Sequence, residues 1–592
     1  MQDVTYEILL DRFPQIAFAL SYTSFPSSKE KASPLHSDAI EEEIRRWEKN
    51  RDFQGVEVIY LYGLGSGAHY LALQGWLKEK QERSLVFIED DLSAIEVFRQ
   101  SALAHPLLSD RQVHISYLLP EGSCKDHMQG LATEFLSDRI EVLAIESYKK
   151  NKRRTYTQIK KHLLAHSSLM QALFSDVIYY HLLCRNIVTN SKQIPDTYSV
   201  STMQGKFAGI PAVICGAGPS LDAAVPHLKQ METQALLLAG GSTITALGQK
   251  GITPHIALAL DPNEEEYERL KANVCLEIPF LFSPRLCPEV FDALNMQLGY
   301  LHTGTGGPVE KWIENGLGLQ DPDVSQGLSE EAFSVTTIAL AFATFLGCDP
   351  IIFCGVDLAY TKMHRYADGV MTSSKVSVED LQKKMQSMDK LVACKNRQRK
   401  KIYSQVKWVM EANCLGQYAK KQASKTFFNC SEEGLSIPHT TCMPLEEIRK
   451  RHMQRSYDLK GMFYAGSLET RRPIKEGQLR EILSLLKGSL SQALSLVKEM
   501  LSEIELLQGM DDLTEKLIPS GTMSVIQMDL EEEVAYDILL SSAEQVLERK
   551  LSSSYRSFFP EGSHLYKQML LKKKHHIFMQ MKVAAEYCLS LL

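Results

Sequence analysis

The 592-residue sequence has no Cys-x-x-Cys pair: its 12 cysteines are scattered from Cys124 to Cys588. That excludes zinc-ribbon spacing and the dense disulfide frameworks of small secreted domains, so a reducing compartment is expected. A strong charge of one sign is missing as well, since 65 Lys and Arg face 72 Asp and Glu for a net charge of −7. Without a basic surface to neutralise phosphates, nucleic acid is not expected as a partner. Long apolar runs are also absent. The longest uncharged stretch, 332–348, includes Ser334, Thr336, Thr337 and Thr344 and stops at Asp349-Pro350. It is shorter than the ~20 residues that cross a bilayer and reads as a buried helix, so no membrane span is expected. Residues 1–7 carry acids where a secretory leader would carry a basic segment, so a cytoplasmic location is expected.

What is present is length. At ~100–200 residues per domain the chain divides into three or four cores. The pattern predicts an α/β protein with a Rossmann-like N-terminal domain over 1–200, a central doubly wound α/β domain over 201–455 and a helical C-terminal bundle over 470–592. In the first region, 56–62 is strand-like and enters Gly63-Leu64-Gly65-Ser66-Gly67; a second apolar run, 85–88, ends at Glu89. Strand, glycine loop, helix, strand and acid form the nucleotide-binding βαβ pattern of methyltransferases and dinucleotide enzymes. One short glycine motif also suits a Rossmann-like domain that binds nothing. In the third region Ile482, Leu486, Leu490, Ala493, Val497, Met500, Ile504 and Leu507 recur at spacings of four and three, the mark of one apolar helix stripe that a protein partner could also use.

The central region alternates apolar runs with turns: 212–215, 235–239, 255–260, 279–282, 298–302 and 350–354. In open parallel sheets ligands bind beyond the carboxyl ends of strands, so the turns matter more than the runs. After the first run comes Gly216-Ala217-Gly218-Pro219-Ser220-Leu221. Two glycines and a proline suited to a helix start leave backbone N–H groups and the helix dipole facing the loop, an arrangement for an anion such as a nucleotide phosphate. The third dinucleotide glycine and the Gly-Lys-[Ser/Thr] of a Walker A loop are both missing. Further on, Ser334, Thr336 and Thr337 sit where a helix begins, able to cap it or to offer hydroxyls. Asp357 follows a buried strand and is either a ligand contact or a cap for loop N–H groups. The charged segment 373–403 reads as an insertion, either a solvated helical arm or a lid.

Gly216 to Leu221, the segment from Gly251-Ile252-Thr253-Pro254 to Asp261-Pro262, and Gly347-Cys348-Asp349-Pro350 to Tyr360-Thr361 together resemble the motility-associated factor (Maf) glycosyltransferase family, which shares a domain with archaeal hydroxymethylpterin pyrophosphokinase (MptE-like) proteins. Phe428 to Ile437, with Pro444 to Ile448, resembles the segment that closes that domain. The same domain is similar to bacterial sialyltransferases that use CMP-activated nine-carbon sugars. The resemblance implies a glycosyltransferase-like central domain that moves a nonulosonic sugar from a CMP donor to a protein Ser/Thr or a glycan hydroxyl. It further implies that Gly216, Ala217, Gly218, Pro219, Ser220, Ser242, Ser334, Thr336 and Asp357 bind the nucleotide, while Tyr360 and Tyr366, six residues apart, hold the departing phosphate. Phenolic O–H groups that meet developing charge make a metal unnecessary. The sialyltransferases' base histidine has no counterpart between His364 and His439, which leaves His364, His302 and Asp261 as candidate bases. The alternatives are ATP-dependent pyrophosphoryl transfer to a pterin alcohol, with Asp261 and Asp357 around Mg²⁺, and a non-catalytic assembly protein that retains the fold.

Overall fold

The computed structural model describes residues 4–23, 44–45, 53–137, 139–271, 278–294, 297–328, 334–368, 370, 391–468, 472, 474–554 and 559–592. The chain splits into two compact units. The first comprises Met1–Val177, Ile504–Ser520 and Gln545–Ile577; the second comprises Ile178–Glu503, Gly521–Glu544 and Phe578–Leu592. This division differs from the expected one in two places. Residues 178–199 belong to the central unit because they supply its edge strand, and the helices beyond 470 are shared between both units.

In the first unit, β1 (Val58–Tyr62), β2 (Ser84–Glu89), β3 (Val113–Tyr117) and β4 (Ile140–Ala144) form a parallel sheet in the order β3-β2-β1-β4. Every residue of β1 and β2 is buried, as unbroken apolar runs require when helices cover both faces of a sheet.

The second unit holds a nine-stranded parallel sheet of order β15-β14-β11-β6-β7-β8-β9-β10-β5. Its strands are β5 (Tyr198–Ser199), β6 (Ala212–Cys215), β7 (Leu236–Gly240), β8 (Ile256–Ala259), β9 (Phe280–Phe282), β10 (Leu298–Tyr300), β11 (Ile351–Cys354), β14 (Phe427–Asn429) and β15 (Thr441–Cys442). From β6 the chain winds one way through β7, β8, β9 and β10, then returns to place β11 on the other side of β6, in register Ile351↔Ala212 to Cys354↔Cys215. That reversal is a topological switch point, where diverging connections open a crevice at the carboxyl ends of β6 and β11. The helix Val335–Phe345 lies against β6, β7, β8 and β11. Thr337 to Ala343 are all buried, and a capping box between Ser334 and Thr337 starts the helix, so Val335–Phe345, within the apolar stretch, is a core helix as expected.

No helix among the described residues is long and apolar enough to cross a membrane. Of the expected insertion, 373–390 lies outside the described residues. The remainder is not a helical arm: β12 (Leu391–Lys395) and β13 (Lys401–Gln405) pair antiparallel, with the charged Asn396-Arg397-Gln398-Arg399-Lys400 as their turn. In the helix Gln478–Gln508 all eight residues of the apolar stripe are buried.

Candidate functional site

The glycine loop of the first unit is closed by its own side chains. Glu89 is fully buried, and its carboxylate accepts from the N–H groups of Leu64, Asp90 and Asp91 and from the Tyr148 hydroxyl at 2.6–3.1 Å. An added Cβ would lie 2.7 Å from Ile145 at Gly63 and 2.6 Å from Phe98 at Gly67. These glycines serve packing, and the acid that would take a ribose hydroxyl is consumed within the loop. The reading without a ligand is therefore the one this geometry favours.

In the second unit the expected residues converge at the switch point. Gly216, Ala217 and Gly218 after β6, Ser242 after β7, Asp261 after β8, Ser334 and Thr336 at their helix start, and Asp357 and Tyr366 after β11 border one open cleft with about 930 Å³ of empty space. Pro219 and Ser220 face a neighbouring cavity, which shares Gly355 and Asp357 with the cleft.

The glycine loop does not present the row of free N–H groups expected from the sequence. Gly216 N–H donates to the Cys354 carbonyl (2.7 Å), Gly218 N–H to the Gly355 carbonyl (2.8 Å) and Ser220 N–H to Asp357 Oδ2 (2.7 Å). The glycines are needed because two turns touch: a Cβ would sit 2.5 Å from the Gly355 oxygen at Gly216 and 2.4 Å from Asp357 Oδ2 at Gly218. Asp357 is thus the carboxylate at the start of the helix Leu221–Lys229, with Ser431 Oγ donating to its other oxygen. Of its two sequence readings, the loop cap is realised, and burial pushes its carboxyl above the usual range.

The charged and aromatic side chains Glu266, Arg269, Arg365, Trp408 and Glu411 also border the cleft and were not among the sequence candidates. Glu411 is committed: the Ser334 hydroxyl donates to it at 2.6 Å, Thr336 also bonds it, and burial raises its affinity for a proton. Glu266 is 1% exposed, and its Oε2 accepts from Arg269 Nη1 (3.2 Å), which also reaches Asp261 Oδ2 (3.3 Å). Glu266 Oε1 has no hydrogen-bond partner among the described residues. Burial, reinforced by the nearby Asp261 charge and opposed by Arg269, pushes the Glu266 carboxyl up to about 7. A signal for it was present, since Glu266 and Leu270 stand four apart on one helix face and both point inward.

The remaining candidates are placed elsewhere. Tyr360 is buried beside Trp408 (ring centroids 5.1 Å apart), its hydroxyl accepting from Gln405 Nε2 at 3.0 Å; of the tyrosine pair, Tyr366 alone borders the cleft. His364 points its Nδ1 toward the Lys362 carbonyl (2.9 Å), outside the cleft wall. His302 follows β10, four strands from β6, or about 19 Å at ~4.8 Å per strand. Its Nδ1 meets Glu314 Oε1 at 2.6 Å, which raises its pKa, and the Tyr300 hydroxyl lies within hydrogen-bond range of both Glu310 and Glu314. Burial and Glu314 push the Glu310 carboxyl up to about 8. Ligand atoms of His302, Glu310 and Glu314 lie within 4.8 Å of one another, but the hydrogen bonds among them and Tyr300 already make a closed polar network.

The wound parallel sheet with a cleft at its switch point defines an open, doubly wound α/β domain. Residues 185–363 match the family model described as 6-hydroxymethylpterin diphosphokinase MptE-like. Among solved structures, the chain is similar to the Maf glycosyltransferase from Magnetospirillum magneticum AMB-1, at 14% identity and a TM-score of 0.52 over 99% of this chain and 96% of that one. The fold is therefore similar to that of this Maf glycosyltransferase, in line with the resemblance carried by the motifs. No curated protein sequence matches the chain.

Proposed function

We propose that the chain is a Maf-type glycosyltransferase that moves a nonulosonic sugar from a CMP donor to a protein Ser/Thr or a glycan hydroxyl. The observation that carries this reading is the convergence of Gly216, Ser242, Ser334, Thr336 and Tyr366, from four separate turns, on one switch-point cleft. In the reaction the acceptor oxygen bonds the anomeric carbon, the carbon–oxygen bond to phosphate breaks with its electron pair going to CMP, and the acceptor proton passes to a carboxylate. Charge on the departing phosphate is met by O–H donors, Tyr366 first among them, and this route needs no metal. The carboxylates within the cleft that retain a role for the proton are Asp261 and Glu266, and Glu266 Oε1 has no partner among the described residues. Acceptor or partner proteins have apolar footholds on the C-terminal helices, where Leu485, Val525 and Met528 are 58–67% exposed. The test is a melting-temperature rise with CMP followed by transfer from a CMP-nonulosonate. No shift together with neither transfer nor donor hydrolysis refutes the proposal.

The match of 185–363 to the MptE-like model supports a second reading, pyrophosphoryl transfer from ATP to a pterin alcohol. The proposed Mg²⁺ pair fits this poorly: both Asp357 oxygens are taken by Ser220 N–H and Ser431, and both Asp261 oxygens by Asn263 and Arg269. Magnesium-dependent ATP consumption with a pterin, without any response to CMP, would favour it.

A further inference from the structure

The two cations of the switch-point cleft differ in what neutralises them. Arg269 is held by Asp261 and Glu266. Among the described residues Arg365 has no carboxylate in ion-pair range and its buried Nε has no hydrogen-bond partner. Its guanidinium lies over the rings of Tyr366 (5.0 Å) and Trp408 (5.8 Å), which fix its plane and shed water from it.

The backbone holds this side chain against the glycine loop. Ala367 N–H donates to the Ala217 carbonyl (2.8 Å) and Asp368 N–H to Asp222 Oδ2 (3.0 Å), while Lys250 pairs with the other Asp222 oxygen (2.7 Å). The approach to it is strained: Leu358, Lys362 and Met363 have φ of 48°, 49° and 62°, a left-handed conformation costly for side-chain-bearing residues and concentrated where structure is spent on function.

A half-buried guanidinium with unused donors calls for an anion. The loop after β6 has spent the N–H groups of Gly216, Gly218 and Ser220 internally, and the Asp261, Asp357 and Glu411 carboxylates are engaged with other partners. We infer that Arg365 is the residue that binds the phosphate of the nucleotide donor, with the Tyr366 hydroxyl beside it. This rests on the nucleotide-sugar reading above. As the bond from the anomeric carbon to the phosphate oxygen breaks and its electron pair moves onto that oxygen, Arg365 meets the new charge with N–H donors, and the acceptor's proton goes to a cleft carboxylate.

The test compares CMP with cytidine, which differ only in the phosphate, by calorimetry and thermal shift. Wild-type protein is expected to bind CMP more tightly than cytidine. Arg365→Met is expected to weaken CMP by about 10- to 100-fold, the scale of a charge-assisted hydrogen bond, and to change cytidine by less than about 2-fold. Arg365→Lys, which keeps the charge but not the fork, falls between. If Arg365→Met keeps the full CMP preference, or the wild type binds both ligands equally, the assignment is overturned while the nucleotide reading stands. If the wild type binds neither, both fall. Should the variants not fold, ³¹P titration of CMP bound to wild type decides: a phosphate pKa below that of free CMP supports the assignment, and an unchanged one overturns it.

Discussion

Glu266→Gln isolates one buried carboxyl whose cost can be worked out. Its proton affinity in the folded chain corresponds to a pKa of about 7, against 4.5 when solvated. At ~1.4 kcal/mol per pH unit, that difference is worth about 3 kcal/mol. The sign follows from the raised folded value. Below 4.5 the group is protonated in both states and costs nothing; between 4.5 and about 7 the unfolded chain releases a proton that the folded protein keeps, so stability falls across this window and levels off once the folded group ionises as well. Glutamine has the same shape and cannot ionise, and Arg269 keeps Asp261 as its partner. The two proteins should therefore be within about 1 kcal/mol of each other at pH 5, with the variant gaining about 3 kcal/mol relative to wild type by pH 8. Urea unfolding of both proteins at intervals between these pH values measures this. The carboxyls of Asp357, Glu411 and Glu310 are raised as well, so wild-type stability alone would mix their contributions; the difference between the proteins cancels those that do not couple to position 266. Parallel pH curves would refute the claim that Glu266 is held protonated by burial.

Gly218→Ala should destabilise by about 1–3 kcal/mol and abolish CMP binding, because its Cβ would meet Asp357 Oδ2 at 2.4 Å; denaturation midpoints with a CMP titration check this. Asp357→Ala, which leaves Ser220 N–H and Ser431 without their acceptor, should cost about 1–3 kcal/mol, read from the same midpoints. The two tyrosines should separate: Tyr366→Phe lowers the transfer rate with little effect on stability, and Tyr360→Phe lowers stability through its lost bond to Gln405, as kinetics and melting of each variant would show. His302→Gln should leave CMP binding within about 2-fold, since a site about 19 Å away exerts little through screened charge; calorimetry decides.

The strands of the central sheet were legible because strands covered on both faces read as unbroken apolar runs, and those centred on Ile214, Leu238, Leu258, Leu281 and Phe353 sit where the pattern put them. The short β14 and β15 gave too little periodicity to read. The site was legible as a set of turns, because turns after parallel strands must gather at one edge. What each turn does was not legible. Asp357 finds its partners 137 and 74 residues away, at Ser220 and Ser431, and neither separation leaves a trace in local pattern. The glycines of 216–218 announce close approach, but only the fold shows that what approaches is the Gly355 turn. The histidines misled for a related reason: His302 follows a strand end as a catalytic group would, on a strand too far from the switch point.

The account stands most directly on what binds at the β6–β11 crevice. Melting of wild-type protein with CMP, ATP with Mg²⁺, and S-adenosylmethionine tests it in one series. CMP should stabilise the wild-type protein increasingly with concentration, by about 2.7 kcal/mol at 100 times its Kd, and Gly218→Ala should lose this response. Stabilisation by ATP or S-adenosylmethionine with no response to CMP would contradict it.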